Sequence, residues 1–291
     1  MDLIYRYDPY QPLVIDRPAN AEAAIQRLVA GNERFVQFVQ QLQAATLGDS
    51  PETSVVPMDL MSMGLPLLPG VALDQRPYAF VLGCSDARAP VEPVFDQYFN
   101  DLFVVRIAGN VLGTECLGSF DYAVRNFVDS IRLGLVLGHS GCGAVTAAVD
   151  AYLAPNPAQE IAASYPLRTL VDRIKIAVRG AARELALHGG ADIKKREDYR
   201  AILIETSIYL NAVITAHDLV REVSSLNLEH FRVVYGVYDL SHLVVRDLPD
   251  RPPVGTPGGG PRLGMAPRTS DEFLAVSARI AQAALQAADS Q

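Results

Sequence analysis

The sequence predicts an α/β fold with a mostly parallel central β-sheet flanked by helices. Short, β-branched apolar runs alternate with stretches of helical periodicity over most of the chain. The apolar runs are nearly continuous, which is typical of strands that are buried on both faces of a sheet. Strands that alternate with helices in this way favour a parallel sheet.

The first 76 residues precede the predicted sheet. Residues 1–19 show no periodic pattern and are expected to form an irregular arm. Residues 20–40 have apolar side chains at helical spacing and predict an N-terminal helix. Residues 41–76 form a long insertion that mixes Pro, Gly and Ser with apolar residues, so we expect it to pack on its own domain or on a partner subunit.

The remaining elements follow from the same patterns. Strands are predicted at residues 79–83, 102–108, 133–138 and 231–240. Helices are predicted at residues 92–99, 115–128, 143–153, 165–188 and 198–224. Residues 1–246 are therefore treated as a single domain, and residues 247–291 as a Pro- and Gly-rich linker (247–264) followed by a C-terminal helical extension. The last helix (270–288) begins with a serine cap and carries an apolar stripe, so it is expected to dock on the body or on a second subunit.

Composition excludes several classes of function. A formal net charge of −8 and the lack of a Lys- or Arg-rich block argue against nucleic acid as the main partner. No apolar run reaches the length that a transmembrane helix needs. The N-terminal residues lack the basic start and apolar core of a signal peptide, and three cysteines do not make a disulfide framework, so a cytoplasmic location is expected.

Three potential metal ligands follow the ends of two predicted strands. Cys84 follows strand 79–83, and His139 and Cys142 follow strand 133–138. Ligand sites in open α/β sheets form beyond the carboxyl ends of the strands, so these side chains are expected at the same rim. Glycines at 141 and 143 permit the tight turn that would bring His139 and Cys142 together. Two thiolates and one imidazole suit zinc, and three ligands leave a fourth position open, as in catalytic zinc sites.

Other interpretations of these residues stay open at this point. Cys116 is in principle a fourth ligand, but it lies within a helical pattern and is expected to be a small buried residue. Cys84 and Cys142 can also be read as buried apolar residues, with His139 as a helix cap. The arrangement of two cysteines and a histidine at two strand ends favours the metal site.

Asp86 and Arg88 lie directly beyond Cys84. A carboxylate at this position can accept a hydrogen bond from a metal-bound water or bind the metal itself. The guanidinium of Arg88 is expected to hold Asp86 in place and keep it ionised. The alternative is a solvated surface ion pair of little energetic value.

Several motifs together resemble one family of enzymes. The segments are GCSDARAP (83–90), FDQYFNDLFVVRIAGNV (95–111), SFDYAV (119–124), LGLVLGHSGCGAV (133–145) and VYGVYDL (234–240). In order and approximate spacing they resemble the β-class carbonic anhydrases. The likeness covers roughly residues 20–40 and 77–245 and implies a β-carbonic anhydrase-like fold over a single catalytic domain.

The resemblance implies a metal site and its chemistry. One Zn²⁺ per chain would be bound by Cys84, His139 and Cys142, with Asp86 and Arg88 as a catalytic dyad. The implied reaction is the reversible hydration of CO2 to bicarbonate and a proton, in which zinc-bound hydroxide attacks CO2 with the assistance of the dyad.

The resemblance also implies pocket residues and a partner. Gln97 and Tyr122 would line the substrate pocket of a neighbouring subunit, and the backbone N–H of Gly143 would be offered to bicarbonate. The chain would form a homodimer or a dimer of dimers.

Other functions remain possible for this scaffold. Hydrolases of CS2 or COS share the scaffold of this family, and the added segments 41–76 and 247–291 could narrow access to the zinc. A catalytically silent scaffold is a second alternative, although it would need neither the ligands nor the Asp86–Arg88 pair. A structural zinc module would prefer four protein ligands.

Overall fold

The structure is a computed structural model of the 291-residue chain. It describes residues 2–8, 10, 17–48, 53–58, 69–156, 164–190, 192–226, 228, 230–250, 252 and 259–290. The strands are β1 Asp2–Tyr7, β2 Thr53–Met58, β3 Ala79–Gly83, β4 Leu102–Arg106, β5 Leu133–His139, β6 Arg232–Tyr238, β7 Val245–Arg246 and β8 Gly264–Met265. The α-helices are α1 Ala21–Thr46, α2 Val91–Val94, α3 Thr114–Asn126, α4 Gly143–Leu153, α5 Tyr165–Gly189, α6 Tyr199–Ser225 and α7 Ser270–Asp289.

The central sheet has the strand order β4-β3-β5-β6-β7, with β8 paired to β6. Strands β3 to β6 are mutually parallel, and the short strands β7 and β8 run antiparallel to β6. The prediction of an α/β fold with a mostly parallel sheet is confirmed. Strand β4 forms one edge of this sheet in the described part of the chain.

Both faces of the sheet are covered by apolar side chains. On β3, Phe80 and Leu82 join the core formed with helices α3 to α7, whereas Ala79 and Val81 join the core beneath α1 and α2. Successive side chains of a strand point to opposite faces, so burial on both sides explains why the strand sequences are continuously apolar.

The segments before the sheet differ from the expectations. Residues 2–7 form strand β1, which pairs in parallel with β2, so the prediction of an irregular arm is wrong for them. The N-terminal helix continues six residues beyond the predicted end, to Thr46. Of the predicted insertion 41–76, residues 49–52 and 59–68 lie outside the described residues.

The helix predicted at residues 92–99 is a single turn, α2. The chain then adopts left-handed backbone conformations at Asp96 (φ 47°) and Asn100 (φ 69°), which an α-helix does not accommodate. The positions between them form the tight connection into β4.

The C-terminal segment packs on its own chain. Helix α7 buries Ile280, Ala281 and Leu285 in the core that it shares with α5 and α6. Its cap is Thr269, which forms a capping box with Glu272, so the predicted serine cap is wrong by one residue. In the predicted linker 247–264, residues 251 and 253–258 lie outside the described residues, and Gly264 belongs to β8. Among the described helices, none combines the length and apolar character needed to cross a membrane.

Candidate metal centre

Cys84, His139 and Cys142 come together at the carboxyl ends of β3 and β5. One ligand atom from each, two sulfurs and one imidazole nitrogen, lies within 4.8 Å of the others. The pairing register explains this, because Gly83 of β3 is opposite Leu137 of β5, and the next residues along the strands lead to Cys84 and His139. All three side chains are buried.

A tight turn links His139 to Cys142. Gly141 has a φ of 63°, a left-handed conformation that glycine adopts without strain. The turn is fixed to β6, because the Ser140 N–H donates to the Tyr238 carbonyl at 2.9 Å. Cys142 is the N-cap residue of α4, which places its thiol at the start of that helix. The start of a helix favours a thiolate at this position.

The imidazole of His139 presents an unused nitrogen to this cluster. Its Nδ1–H donates to the Ser140 carbonyl at 3.0 Å, an assignment that leaves the Nε2 lone pair facing the cluster. Nε2 is buried and has no hydrogen-bond partner in the described part of the protein. A buried nitrogen of this kind is costly unless something binds it, and a metal ion is the partner that the two neighbouring sulfurs fit.

A hydrogen bond between Cys84 and Cys142 affects the pKa of both thiols. The hydrogen bond from Cys142 outweighs burial and lowers the pKa of Cys84 to about 4. The same hydrogen bond, together with burial, raises the pKa of Cys142. A metal cation that displaced the thiol protons would find two sulfur donors and one nitrogen donor, so these residues could hold a metal ion such as zinc.

Asp86 lies beside the cluster and is held by Arg88. Its Oδ2 is 3.8 Å from His139 Nε2. Arg88 donates from Nη2 to Oδ2 at 2.7 Å and from Nε to Oδ1 at 3.0 Å. The side-chain hydrogen bond from Arg88 holds the pKa of Asp86 well below its usual range, so the carboxylate is ionised at neutral pH.

Two residues that the sequence did not single out support this loop. Arg106, at the end of β4, donates from Nε to the Cys84 carbonyl at 2.9 Å and from Nη2 to the Asp86 carbonyl at 2.5 Å. Gly109 donates its N–H to Cys84 Sγ at 3.3 Å. The only available signal for Arg106 was its place at the end of a strand next to β3.

The predicted pocket residue Gln97 is held by hydrogen bonds within its own chain. The Gln97 side-chain oxygen accepts hydrogen bonds from Arg27 Nε (3.0 Å) and the Tyr78 hydroxyl (2.8 Å). Its nitrogen donates to the carbonyls of Phe95 and Asp96, so the amide is fully bonded within the chain.

Tyr122, Gly143 and Cys116 have different environments. Tyr122 is half exposed on α3, with its ring 6.1 Å from that of Phe103 on β4. Gly143 is the first residue of α4, and the position of its missing side chain faces open space. Cys116 is a buried side chain of α3 that is not part of the cluster, as expected.

The comparison with protein families decides the assignment. A family model described as "Carbonic anhydrase" matches residues 79–242, which is more than half of the chain. The chain belongs to the β-carbonic anhydrase family. The matched range begins with β3 and includes every residue of the cluster as well as Asp86 and Arg88.

Individual relatives of the β-carbonic anhydrase family match shorter stretches. Carbonic anhydrase 2 of Mycobacterium tuberculosis is 42% identical over 132 residues, which are 45% of this chain and 54% of that protein. The carbonic anhydrase of Mycolicibacterium smegmatis is 46% identical over 90 residues, 31% of this chain and 43% of that protein. The chain thus covers about half of the length of these relatives, or less.

Solved structures of the family are also similar. The β-carbonic anhydrase of Coccomyxa, in complex with acetazolamide, superposes with a TM-score of 0.45 and 20% identity, covering 60% of this chain and 72% of that one. At this TM-score the superposition adds nothing to the family assignment.

Proposed function

We propose that this chain catalyses the reversible hydration of CO2 to bicarbonate and a proton, with one zinc ion held by Cys84, His139 and Cys142. The observation that carries the proposal is the buried, unpartnered Nε2 of His139 among two sulfurs, with Asp86 Oδ2 3.8 Å away. Zinc bound there would supply a nucleophile at neutral pH by lowering the pKa of a bound water to about 7.

Asp86 and Arg88 would orient the reacting groups. An ionised carboxylate is acceptor-only, so Asp86 can hold a proton donor next to the ligands in a single orientation. Arg88 keeps Asp86 ionised and fixes the plane of its carboxylate through two side-chain hydrogen bonds. CO2 is apolar and needs little more than a small dry space beside these groups.

Gly143 offers a further contact for bicarbonate. It is the first residue of α4, where backbone N–H groups lack partners within the helix and favour an anion. Among the described residues, none has a heavy atom within 4 Å of where a Cβ at position 143 would lie, apart from the chain neighbours, so the approach from them is open. Gln97 and Tyr122 stay predicted pocket residues, and Gln97 would have to exchange one of its internal hydrogen bonds to bind a substrate.

A second copy of the chain is the partner that the surface fits. Strand β4 lies at the sheet edge, and the exposed apolar side chains Phe99, Tyr122 and Val128 lie on segments near it. An open strand edge next to exposed apolar groups favours association, so we propose a homodimer, alone or within a dimer of dimers, that covers this side. A cytoplasmic location is part of the same proposal.

The test combines zinc content with stopped-flow CO2 hydration of the purified full chain at about pH 7 and about pH 8.5. Hydration with one zinc per chain is the expected result. Cys84→Ser should lose zinc and activity, while Cys116→Ser, a matched buried thiol outside the cluster, should keep both. One zinc per chain without hydration at either pH would overturn the proposal, and turnover of CS2 or COS would then identify the alternative hydrolase. A chain inactive on all three substrates would be a silent scaffold.

A further inference from the structure

The turn that contacts Cys84 has an unfavourable backbone. Gly109 and Asn110, in the 3-10 turn Ala108–Asn110 after β4, both have left-handed conformations, with φ of 70° and 45°. Glycine adopts this conformation without strain, but Asn110 does not, and its conformation persists only where the surroundings hold it. A side chain at Gly109 would come within 2.7 Å of Ile174 Cδ1, so the turn is packed closely against α5.

Gly109 is hydrogen-bonded on both sides. Its N–H donates to Cys84 Sγ at 3.3 Å. Its carbonyl accepts a hydrogen bond of 2.7 Å from the side-chain nitrogen of Asn211 on α6. The two contacts form a chain from α6 through the turn to a proposed metal ligand.

Asn211 is a polar residue in an apolar part of α6. It is 4% exposed and lies between Leu210 and Ala212, which are both buried in the core. A buried amide is costly unless it is hydrogen-bonded. The side-chain nitrogen of Asn211 donates to the Gly109 carbonyl, which lies 102 residues away in the sequence.

We propose that Asn211 is a positioning residue for the metal centre. By holding the Gly109 carbonyl it fixes the turn so that the Gly109 N–H points at Cys84 Sγ. Hydrogen bonds to a ligating atom orient it and set its electron density, and losing such partners typically weakens metal binding. This inference rests on the proposed zinc site.

The test measures zinc binding directly. Asn211→Leu keeps the branching of the side chain but has no donor. We expect its zinc affinity, measured by competition with a chromophoric chelator, to fall about tenfold or more. The sulfur-to-metal charge-transfer absorption of the Co²⁺-loaded protein should also shift, because Cys84 loses a correctly aimed N–H.

Asn32→Leu is the matched control. Asn32 is a fully buried amide that donates to the Val94 and Leu243 carbonyls and accepts from the Val245 N–H. Its loss should destabilise the fold but leave the zinc affinity and the Co²⁺ spectrum of the folded protein unchanged.

The outcomes separate this inference from the proposed function. A wild-type chain that binds no zinc overturns both. Zinc affinity and a Co²⁺ spectrum equal to wild type in Asn211→Leu overturn only the positioning role. If that variant does not fold, Asn211→Asp gives the same readouts. Its added negative charge would by itself favour a cation, so weaker zinc binding reports the lost donor, and a Co²⁺ charge-transfer absorption equal to wild type overturns the role.

Discussion

Arg88 holds Asp86 through three hydrogen bonds, one from its backbone N–H and two from its guanidinium. The bonds run over only two residues of sequence, so the pair is formed by the local turn rather than by distant packing. The Asp86 side chain is 19% exposed and the Arg88 side chain 63% exposed, which places the pair at the mouth of the buried cluster. This position suits a group that meets substrate rather than one that supports the fold.

Asp86→Asn is expected to bind zinc as wild type does and to lower kcat for CO2 hydration at least about 100-fold. The amide cannot take the place of an ionised acceptor beside the ligands, whereas the ligand atoms are untouched. Stopped-flow hydration with zinc quantified in each sample measures both effects. Asp150→Asn removes a similar two-bond contact, with Arg200 on the protein surface, and should leave kcat unchanged. Full activity in Asp86→Asn would remove this residue from the mechanism.

Phe99→Asp is expected to weaken self-association at least about tenfold. Phe99 is 67% exposed and lies three residues before the edge strand β4, and a charge there would have to be buried in the proposed dimer. Analytical ultracentrifugation over a range of concentrations measures the change. Leu187→Asp, at an exposed apolar position on α5, is the control and should associate as wild type does. Equal association of the two variants would place the dimer interface elsewhere.

Asp239 gives a prediction for pH. Burial raises its pKa, but the hydrogen bonds from His242 and from the Ser241 and His242 N–H groups outweigh burial and make the pKa lower than its ordinary value. A lowered pKa in the folded state means that the ionised carboxylate stabilises the fold above the unfolded pKa of about 3.9, and that this contribution is lost as the pH falls through the folded pKa.

Asp239→Asn should therefore reduce the free energy of unfolding more at about pH 6 than at about pH 3. Urea unfolding of both proteins at the two pH values measures the difference. Asp192→Asn, at a highly exposed carboxylate, should show little dependence on pH. An equal loss of unfolding free energy in Asp239→Asn at both pH values would mean that the hydrogen bonds to this side chain stabilise the fold whether or not the carboxylate is charged.

Local patterns were enough to predict the sheet and the cluster. The apolar runs around Phe80 and Leu135 are short and bounded by glycine or polar residues, and the limits of all four predicted strands came within two residues of β3 to β6. The cluster followed from a simple rule, because parallel neighbours β3 and β5 end at the same rim. The roles of Gln97, Tyr122 and Gly143 had no comparable local signal and stay predictions.

What was missed depends on contacts between distant residues. Strand β1, with the sequence DLIYRY, pairs with β2 some 50 residues later, and its residues show neither a continuous apolar run nor a regular alternation of apolar and polar side chains. Helix α2 is limited to one turn because the backbone adopts left-handed conformations at Asp96 and Asn100. The spacing of the neighbouring residues is compatible with a helix, so the pattern alone predicted a longer one. Asn211 was visible only as a polar residue in an apolar helix, and its partner Gly109 could not be identified from spacing.

The C-terminal helix provides a test of whether the added segment is part of the folded body. Ile280 on α7 is fully buried in the core shared with α5 and α6. Ile280→Ala removes buried methyl groups and leaves a cavity, so we expect it to lower the free energy of unfolding by about 3 kcal/mol. Leu274→Ala, at a half-exposed position on the same helix, should change it by less than about 1 kcal/mol. Urea unfolding gives both values. A loss of less than about 1 kcal/mol in Ile280→Ala would mean that α7 unfolds separately from the sheet. If the helix unfolds together with the core, a cavity at Ile280 must lower the free energy of the single cooperative unfolding transition.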